Sequence, residues 1–419
     1  MELERPERPV FESEQKLRHL PFFEEVASHE EGDAAWRSAT AGLVVLRLVD
    51  AWLENGRAVV ADDGWSVRSV RAAIESMDDG TPIKSILDRI IDALHEQKPD
   101  IHVVVTPLMA YGKALEYDAK WRLASDVYHS VLAHLHPLED SDASVAAHIR
   151  LGHCFRNLGR LEEAAAAFVE ASEVANARGD IVGVLRARIG EGIVTMLRGN
   201  LPRAQDILDQ AIDRATGVDL RDVRSRALHV RANVEQMRGN YELAIRMAYE
   251  ALDQAESATE RDRILNDIAV SFFELGVYSA ARDAYLVLSV AAQEEYVRWA
   301  AHLNLLDVTS QTGSEVHFEA IRREMSKVDL PPYLAAGFQL NLGTGYARFG
   351  NLDKARWHLE RAMVLGQEHG HNQFVFEAER ALRGLQTASP HPRPEREIPP
   401  DVEEVANAIR ELRESAGVS

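Results

Sequence analysis

The side chains best suited to chemistry are a single cysteine and two closely spaced histidine pairs. A cysteine thiolate is a nucleophile, and neighbouring histidines can bind a metal ion. Cys154 lies in a helical pattern, where we expect a small buried thiol. His134 with His136, and His369 with His371, lie near predicted helix ends, where an imidazolium interacts favourably with the helix dipole. These residues therefore favour structural roles over a nucleophile or a metal site.

Sequence motifs of the common catalytic classes are absent. The chain has no Gly-rich phosphate loop, no HExxH zinc motif and no nucleophile elbow. We expect no catalytic residues, no metal site and no cofactor, which makes an enzyme the least favoured function class.

The charge of the chain limits its partners. It has 67 acidic and 47 basic residues and a net charge of -20, which opposes binding to nucleic acid or to an anionic membrane and suits a basic partner. One cysteine excludes an intrachain disulfide and indicates a reducing compartment. The N-terminus does not resemble a signal peptide, and no apolar stretch is long enough to span a bilayer. We predict a cytoplasmic protein.

A short pattern recurs along the chain, with a glycine followed five residues later by an alanine. Successive starts are 40 residues apart early in the chain and 37 or 74 apart later. The interval of 74 is twice 37, and its midpoint is Gly313, which indicates a degenerate repeat there. The clear occurrences are Gly159/Ala164, Gly199/Ala204, Gly239/Ala244, Gly276/Ala281 and Gly350/Ala355, preceded by the variant Ala119/Ala124.

A second landmark lies seven residues before each start and is glycine or alanine in six of seven repeats. Small residues there, and the alanines after the turn, predict two helices that cross at close range. A bulky apolar residue follows most of the alanines at the fourth position, on the same helix face. The landmarks are Gly112, Gly152, Gly192, Ala232, Ala269, Leu306 and Gly343, and the bulky residues are Tyr128, Phe168, Leu208, Tyr285 and Leu359.

This pattern resembles the tetratricopeptide repeat family over roughly residues 103–385. The resemblance implies an all-α, right-handed superhelical solenoid of antiparallel helix pairs. The units are longer than the usual 34 residues, as in the repeat arrays of bacterial signal-transduction regulators. A HEAT-like array has similar periodicity, but the registered glycines and alanines argue against it. The best-matching repeats contain Gly152, Gly159, Ala164, Phe168 and Ala171, and Gly343, Gly350, Ala355 and Ala362.

The segments on either side of the repeats form regions of their own. A lone helix at the C-terminus would be marginal in water, so we expect it to dock in its own array's groove as a plug, on a second copy, or on a partner. The predicted regions are 1–33, acidic and mostly irregular, with a possible short helix near 12–19; 34–98, N-terminal helices that form a degenerate first repeat or a helix-turn-helix; 99–386, about seven repeats with a capping helix; 387–400, a Pro-rich linker; and 401–419, an amphipathic helix.

The family resemblance also implies a binding site, because first helices of such arrays line a concave groove. Asparagine there can pair with peptide amides, and arginine can grip a carboxylate, although each residue alone could equally be an ordinary solvated side chain. The peptide-binding candidates by register are Arg150, His153, Asn157, Arg186, Arg226, Asn233, Asn266, Asp267, Asn304, Asp307 and Asn341.

These features predict a non-catalytic scaffold or adaptor that binds an extended peptide or a helix of another protein. One alternative is a regulatory sensor in a transcription or signalling pathway, although the N-terminal helices carry no basic face for DNA. Another is an assembly factor that forms homo-oligomers through its terminal helices.

Overall fold

The structure, a computed structural model, describes residues 18–55, 65–96, 100–135, 140–385 and 394–418. Within these ranges every regular element is an α-helix and no β-strand occurs, which confirms the predicted all-α fold class. The chain divides into two compact units between residues 198 and 199, and each unit has hydrophobic core clusters of its own.

The first unit starts with four helices and continues as helix pairs. Helices α2, α3 and α4 lie within the segment 34–98, for which the sequence predicts N-terminal helices. In the pairs, α5 packs against α6 and α7 against α8, each pair joined by a short turn. The helices are α1 (Leu20–Ser28), α2 (Ala34–Asn55), α3 (Trp65–Glu75), α4 (Pro82–Glu96), α5 (Ile101–Tyr117), α6 (Trp121–His134), α7 (Ser141–Asn157), α8 (Leu161–Arg178) and α9 (Ile181–Leu197).

The second unit alternates first helices (α11, α13, α15, α17) with second helices (α12, α14, α16, α18). Consecutive first helices lie side by side, and α19 packs on α18 at the position of the predicted capping helix. The helices are α10 (Leu201–Gly217), α11 (Arg221–Met237), α12 (Tyr241–Gln254), α13 (Ala258–Leu275), α14 (Tyr278–Ala291), α15 (Glu295–Gln311), α16 (Glu315–Met325), α17 (Pro332–Arg348), α18 (Leu352–Glu368), α19 (Asn372–Gly384) and α20 (Pro400–Ser415).

The recurring glycines that start the pattern occupy equivalent turns, each after the end of one helix and before the start of the next. At Gly239 the backbone is left-handed (φ +79°), and the next amide donates a hydrogen bond to the Glu235 carbonyl at 2.9 Å, which closes the end of α11. Gly313 has φ +73° and joins α15 to α16, so the degenerate repeat expected at that position is a helix pair. The φ values of Gly159, Gly199, Gly239, Gly276, Gly313 and Gly350 span +72° to +85°.

Three of the landmark glycines, Gly112, Gly152 and Gly343, lie where paired helices cross, each against a bulky side chain of the second helix. A β-carbon at Gly152 would lie 2.7 Å from Cζ of Phe168, and one at Gly112 would lie 2.6 Å from the Tyr128 ring. Such distances are too short for any real contact, so only glycine lets these helices approach. Sequence periodicity had identified both partners of each contact.

Helix α1 differs from the sequence prediction. The segment 1–33 was expected to be mostly irregular, yet residues 20–28 are helical. The possible helix at 12–19 lies almost entirely outside the described residues. The amphipathic pattern of α1 is too short to be distinguished from a loop by periodicity alone.

Contacts distant in sequence hold α1 in place. Phe22 is fully buried, and its ring centroid lies 6.3 Å from that of Tyr111. His19, just before the helix, contacts Asp126 at 2.7 Å and Asp50 at 3.2 Å. Burial opposes protonation of this imidazole, but hydrogen bonds to the two carboxylates outweigh it and raise the pKa of His19 to about 9. The N-terminal helix is therefore fixed by a buried ion triad.

Helix α20 docks on its own chain, against second helices α12 and α14. Its apolar stripe is buried in the second unit's core, where Val402 and Ile409 are fully buried. The segment before it is also attached, since the Arg396 amide donates to the Gly276 carbonyl at 3.0 Å. Of the three docking places considered, α20 takes one on its own chain, but on second helices, whereas the candidate binding residues lie on first helices.

We predict that Gly152→Ala destabilises the first unit by about 1–3 kcal/mol. The Phe168 ring cannot move aside, because it is fully buried and also faces Gly190, where a β-carbon would lie 2.4 Å away. Urea unfolding of the full chain measures the loss, and Phe168→Leu in the same chain should restore part of it. Gly217→Ala is the matched control, since its β-carbon meets nothing within 4 Å. Equal stability of the Gly152→Ala protein and the natural one would contradict the crossing contact.

We predict that Ile409→Asp releases α20, because the side chain is fully buried and a carboxylate there would lose its hydration. Limited trypsin digestion should then cleave at Arg410 and Arg413 faster than in the natural protein. Leu412→Asp is the control, since Leu412 is 39% exposed. Equal cleavage rates for both variants would show that α20 is not held by its apolar stripe.

Candidate functional site

Four of the sequence candidates lie in the first unit. Arg150, on α7, donates a hydrogen bond to Glu116 of the neighbouring first helix α5 at 3.2 Å. Asn157 is exposed and its amide donates to the His153 carbonyl within the same helix at 2.8 Å. His153 is half-buried, and Arg186 is exposed on α9. These side chains do not converge on a single point.

The other seven candidates lie on the first helices of the second unit, and we call them the first-helix surface. Three of them, Asp267, Asn304 and Asn341, are spaced 37 residues apart and occupy equivalent positions on α13, α15 and α17. The surface comprises Arg226 and Asn233 on α11, Asn266 and Asp267 on α13, Asn304 and Asp307 on α15, and Asn341 on α17.

Several of these side chains connect one first helix to the next. Asp307 accepts a hydrogen bond from Arg348 of α17. Asn341 donates from its side-chain amide to the Leu303 carbonyl on α15 at 2.8 Å. Such polar contacts fix the spacing of adjacent first helices, and they use hydrogen-bonding capacity that a ligand would otherwise need.

Asp267 belongs to a buried charged triad. Its carboxylate contacts His229 Nε2 at 2.8 Å, and Glu260 contacts Nδ1 of the same ring at 3.3 Å. Burial opposes protonation of the ring, but hydrogen bonds to Asp267 and Glu260 outweigh it and raise the pKa of His229 to about 9. At neutral pH the imidazole is therefore a cation that donates from both nitrogens. Asn266 donates to the other oxygen of Asp267 at 3.3 Å.

Two asparagines keep their amides available. Asn233 and Asn304 are half-buried, and within the described residues neither side chain makes a hydrogen bond to protein. An amide carries two donors and two acceptor sites, so each can pair with both the N–H and the C=O of a peptide unit. Half-burial also shields such a pair from water, which strengthens it.

Comparison with solved structures shows what the helix pairs resemble. The Rap conjugation gene regulator of plasmid pLS20, solved in complex with the Phr* peptide, matches over 83% of this chain and 96% of its own, with 12% identity and a TM-score of 0.51. The chain has a tetratricopeptide-type fold. A tetratricopeptide repeat protein from Parabacteroides merdae matches over 81% of this chain and 99% of its own, with 13% identity and a TM-score of 0.36. No protein-family model and no curated protein matches the sequence.

The sequence missed His229, the central residue of the triad on this tetratricopeptide-type surface. It lies three residues before the landmark Ala232. The equivalent position in most other repeats is apolar, as in Ile149, Leu303 and Leu340. The signal available in the sequence was a histidine at a position that is apolar in most repeats, followed by an aspartate about one repeat later. Its two acidic partners lie on the next first helix, 31 and 38 residues away.

Cys154 and His134, considered above for nucleophilic and metal-binding chemistry, both make contacts typical of structural residues. Cys154 is fully buried, and burial raises the pKa of its thiol to about 12, so it is a poor nucleophile at neutral pH. His134 contacts Asp50 at 3.2 Å, while His136 lies outside the described residues. In the described ranges no three His, Cys, Asp or Glu side chains are grouped to hold a metal.

Among the helices in the described ranges, none combines the length and the apolar character that a bilayer crossing demands.

We predict that the His229 triad stabilises the second unit most strongly at acidic to neutral pH. Its pKa is about 9 in the folded chain against an ordinary value of 6.5, so the stabilisation is complete below pH 6.5 and is lost as the pH rises through 9. The unfolding free energy of the natural protein minus that of His229→Gln should fall by on the order of 1–3 kcal/mol over this range. Urea titrations at several pH values measure it. A difference that stays constant or grows with pH would exclude a protonated His229.

Proposed function

We propose that the second unit binds an extended peptide along its first-helix surface, with Asn233 and Asn304 pairing with peptide backbone groups. The observation that carries this proposal is the state of these two amides, which are half-buried and make no hydrogen bond within the described residues. Unused amide groups two repeats apart, on α11 and α15, are suited to a ligand whose own polar groups repeat along an extended chain.

The charged residues of the first-helix surface interact largely with one another and with neighbouring helices. Arg226 lies on α11 near Glu260, whose pKa it helps to lower after the larger effect of the His229 hydrogen bond. Asp267 and Asp307 already pair with His229 and Arg348. The surface is thus neutralised in part by its own ion pairs, and it does not need a strongly basic ligand.

The fold neighbour supports a peptide and a regulatory role. The Rap conjugation gene regulator was solved with the Phr* peptide, and its fold extends over most of this chain. We therefore propose that the protein is a regulator that responds to the binding of a peptide and catalyses no reaction. Binding without catalysis agrees with the inert setting of Cys154. The net charge of -20 weighs against nucleic acid as a direct partner.

Self-association through the terminal helices is less well supported. The apolar stripe of α20 is buried against α12 and α14 of the same chain. A homo-oligomer built on this helix would first require its release.

We predict that short linear peptides bind the full chain and that Asn304→Ala weakens them about tenfold, as expected for the loss of buried amide hydrogen bonds. The probe is a library of random peptides selected on the immobilised protein, followed by calorimetry with the best binders. Asn233→Ala should have a similar effect.

Asn407→Ala is the control, because Asn407 is an exposed asparagine on α20, away from the first helices. Its affinity for each selected peptide should match that of the natural protein. The proposal fails if no peptide is enriched, or if enriched peptides bind the Asn233 and Asn304 variants with unchanged affinity.

A further inference from the structure

A cavity of about 610 Å³ opens in the second unit between second helices α14 and α16, with α15 beneath it. We call it the α14–α16 cavity. Its walls are mainly apolar and include Leu286 and Val290 of α14, Leu305 and Val308 of α15, and Ile321 of α16. A volume of this size, with apolar walls and a few polar groups, is typical of a small-molecule site.

The degenerate repeat explains why the cavity exists. At the two positions where other repeats place small residues, this pair has Leu306 and Phe318, both fully buried. Phe318 packs toward the next pair, with its ring centroid 5.4 Å from that of Tyr346. Gly345 makes room for it, since a β-carbon there would lie 2.4 Å from the ring. Helix α16 is thus anchored toward α17, and space is left on the side that faces α14.

One end of the cavity has hydrogen-bond donors to spare. Asp283 is buried and accepts from both Arg282 (3.3 Å) and Arg413 (3.0 Å). Glu395 accepts from the Ser279 amide at 2.7 Å. Each of these carboxylates therefore accepts at least one hydrogen bond, whereas the Nε of Arg413 is buried and, within the described residues, has no partner. A ligand group at this end must accept hydrogen bonds, and a carboxylate fits the arginine fork.

Two other carboxylates near the cavity make only long contacts to basic side chains. Glu414 lies 3.6 Å from Arg413 and is 63% exposed, and Glu324 lies 3.9 Å from His302 and is 62% exposed. Solvent screens contacts of this kind, so they leave the donor excess at Arg282 and Arg413 in place.

We propose that the α14–α16 cavity binds a small amphipathic carboxylate. Its apolar body lies along α14, from Tyr278 to Val290, a wall of about 18 Å. Its carboxylate accepts from Arg282 and Arg413. This site is separate from the first-helix surface, and the proposal does not depend on peptide binding.

The ligand would also stabilise the C-terminal helix, because Arg413 belongs to α20 whereas Arg282 belongs to α14. A carboxylate held by both side chains adds a link between the two helices. Occupancy of the cavity would therefore favour the docked state of α20, which gives the site a readout beyond binding itself.

The test uses the full chain and dodecanoate below its micelle concentration, measured by calorimetry at pH 8. We expect saturation at one site, and at least tenfold weaker binding of dodecanol, which has the same body without the carboxylate. Ala320→Trp should abolish binding, because Ala320 lines the cavity from the exposed side of α16. Arg282→Gln should weaken it at least fivefold, while Asp283 keeps Arg413 as a partner.

Arg410→Gln is the matched control, an exposed arginine on α20 outside the cavity, and should bind dodecanoate normally. Thermal melting of each variant confirms folding. Amide exchange in α20 should slow when dodecanoate is present. The site is refuted if dodecanoate does not saturate or if Ala320→Trp binds it unchanged. Equal affinity for dodecanol, or no effect of Arg282→Gln, refutes the carboxylate, and unchanged exchange in α20 refutes the link.

Discussion

The contact between a glycine and a bulky side chain, which the structure shows in three helix pairs, is the constraint on which those pairs depend. At these crossings a β-carbon would lie 2.6–2.7 Å from the opposing side chain, a distance that close-packed interiors do not tolerate. The contact sets the separation of the two helices, and a repeated separation places first helices side by side. Because first helices then lie side by side, a polar side chain on one of them can hydrogen-bond to the first helix before or after it, about one repeat of 37 residues away. The crossings with this geometry are Gly112/Tyr128, Gly152/Phe168 and Gly343/Leu359.

The α15/α16 pair shows what happens when this constraint is relaxed. Leu306 and Phe318 are too large for a close crossing, so the contact moves from within the pair to between pairs, where Gly345 accepts the Phe318 ring. The small residue that faces Phe318 therefore lies in the next repeat. One small residue still packs against one large residue. Space that a regular repeat would have filled becomes the α14–α16 cavity. A departure from the repeat pattern is therefore informative in its own right.

The sequence predicted the helix pairs because their determinants are local and periodic. Gly313 could be located by arithmetic, and the turn is where the spacing required it. The docking of α1 and α20 could not be predicted, since periodicity shows which face is apolar and not what covers it. His19 meets Asp126 across 107 residues. The candidate residues could likewise be placed on first helices, but only the structure shows that Arg348 already occupies Asp307.

The excess of acid, read from composition alone, suggested a basic partner. The structure changes its meaning, because some of this acid is used within the chain. In each unit a buried histidine is held as a cation between two carboxylates, His19 in the first and His229 in the second. These carboxylates join helices and are not available to a ligand. In the proposed binding mode, the groups that would select a ligand are those left unsatisfied, the neutral amides of Asn233 and Asn304 on the first-helix surface. On this proposal net charge governs long-range attraction, whereas the two amides govern which peptide is bound.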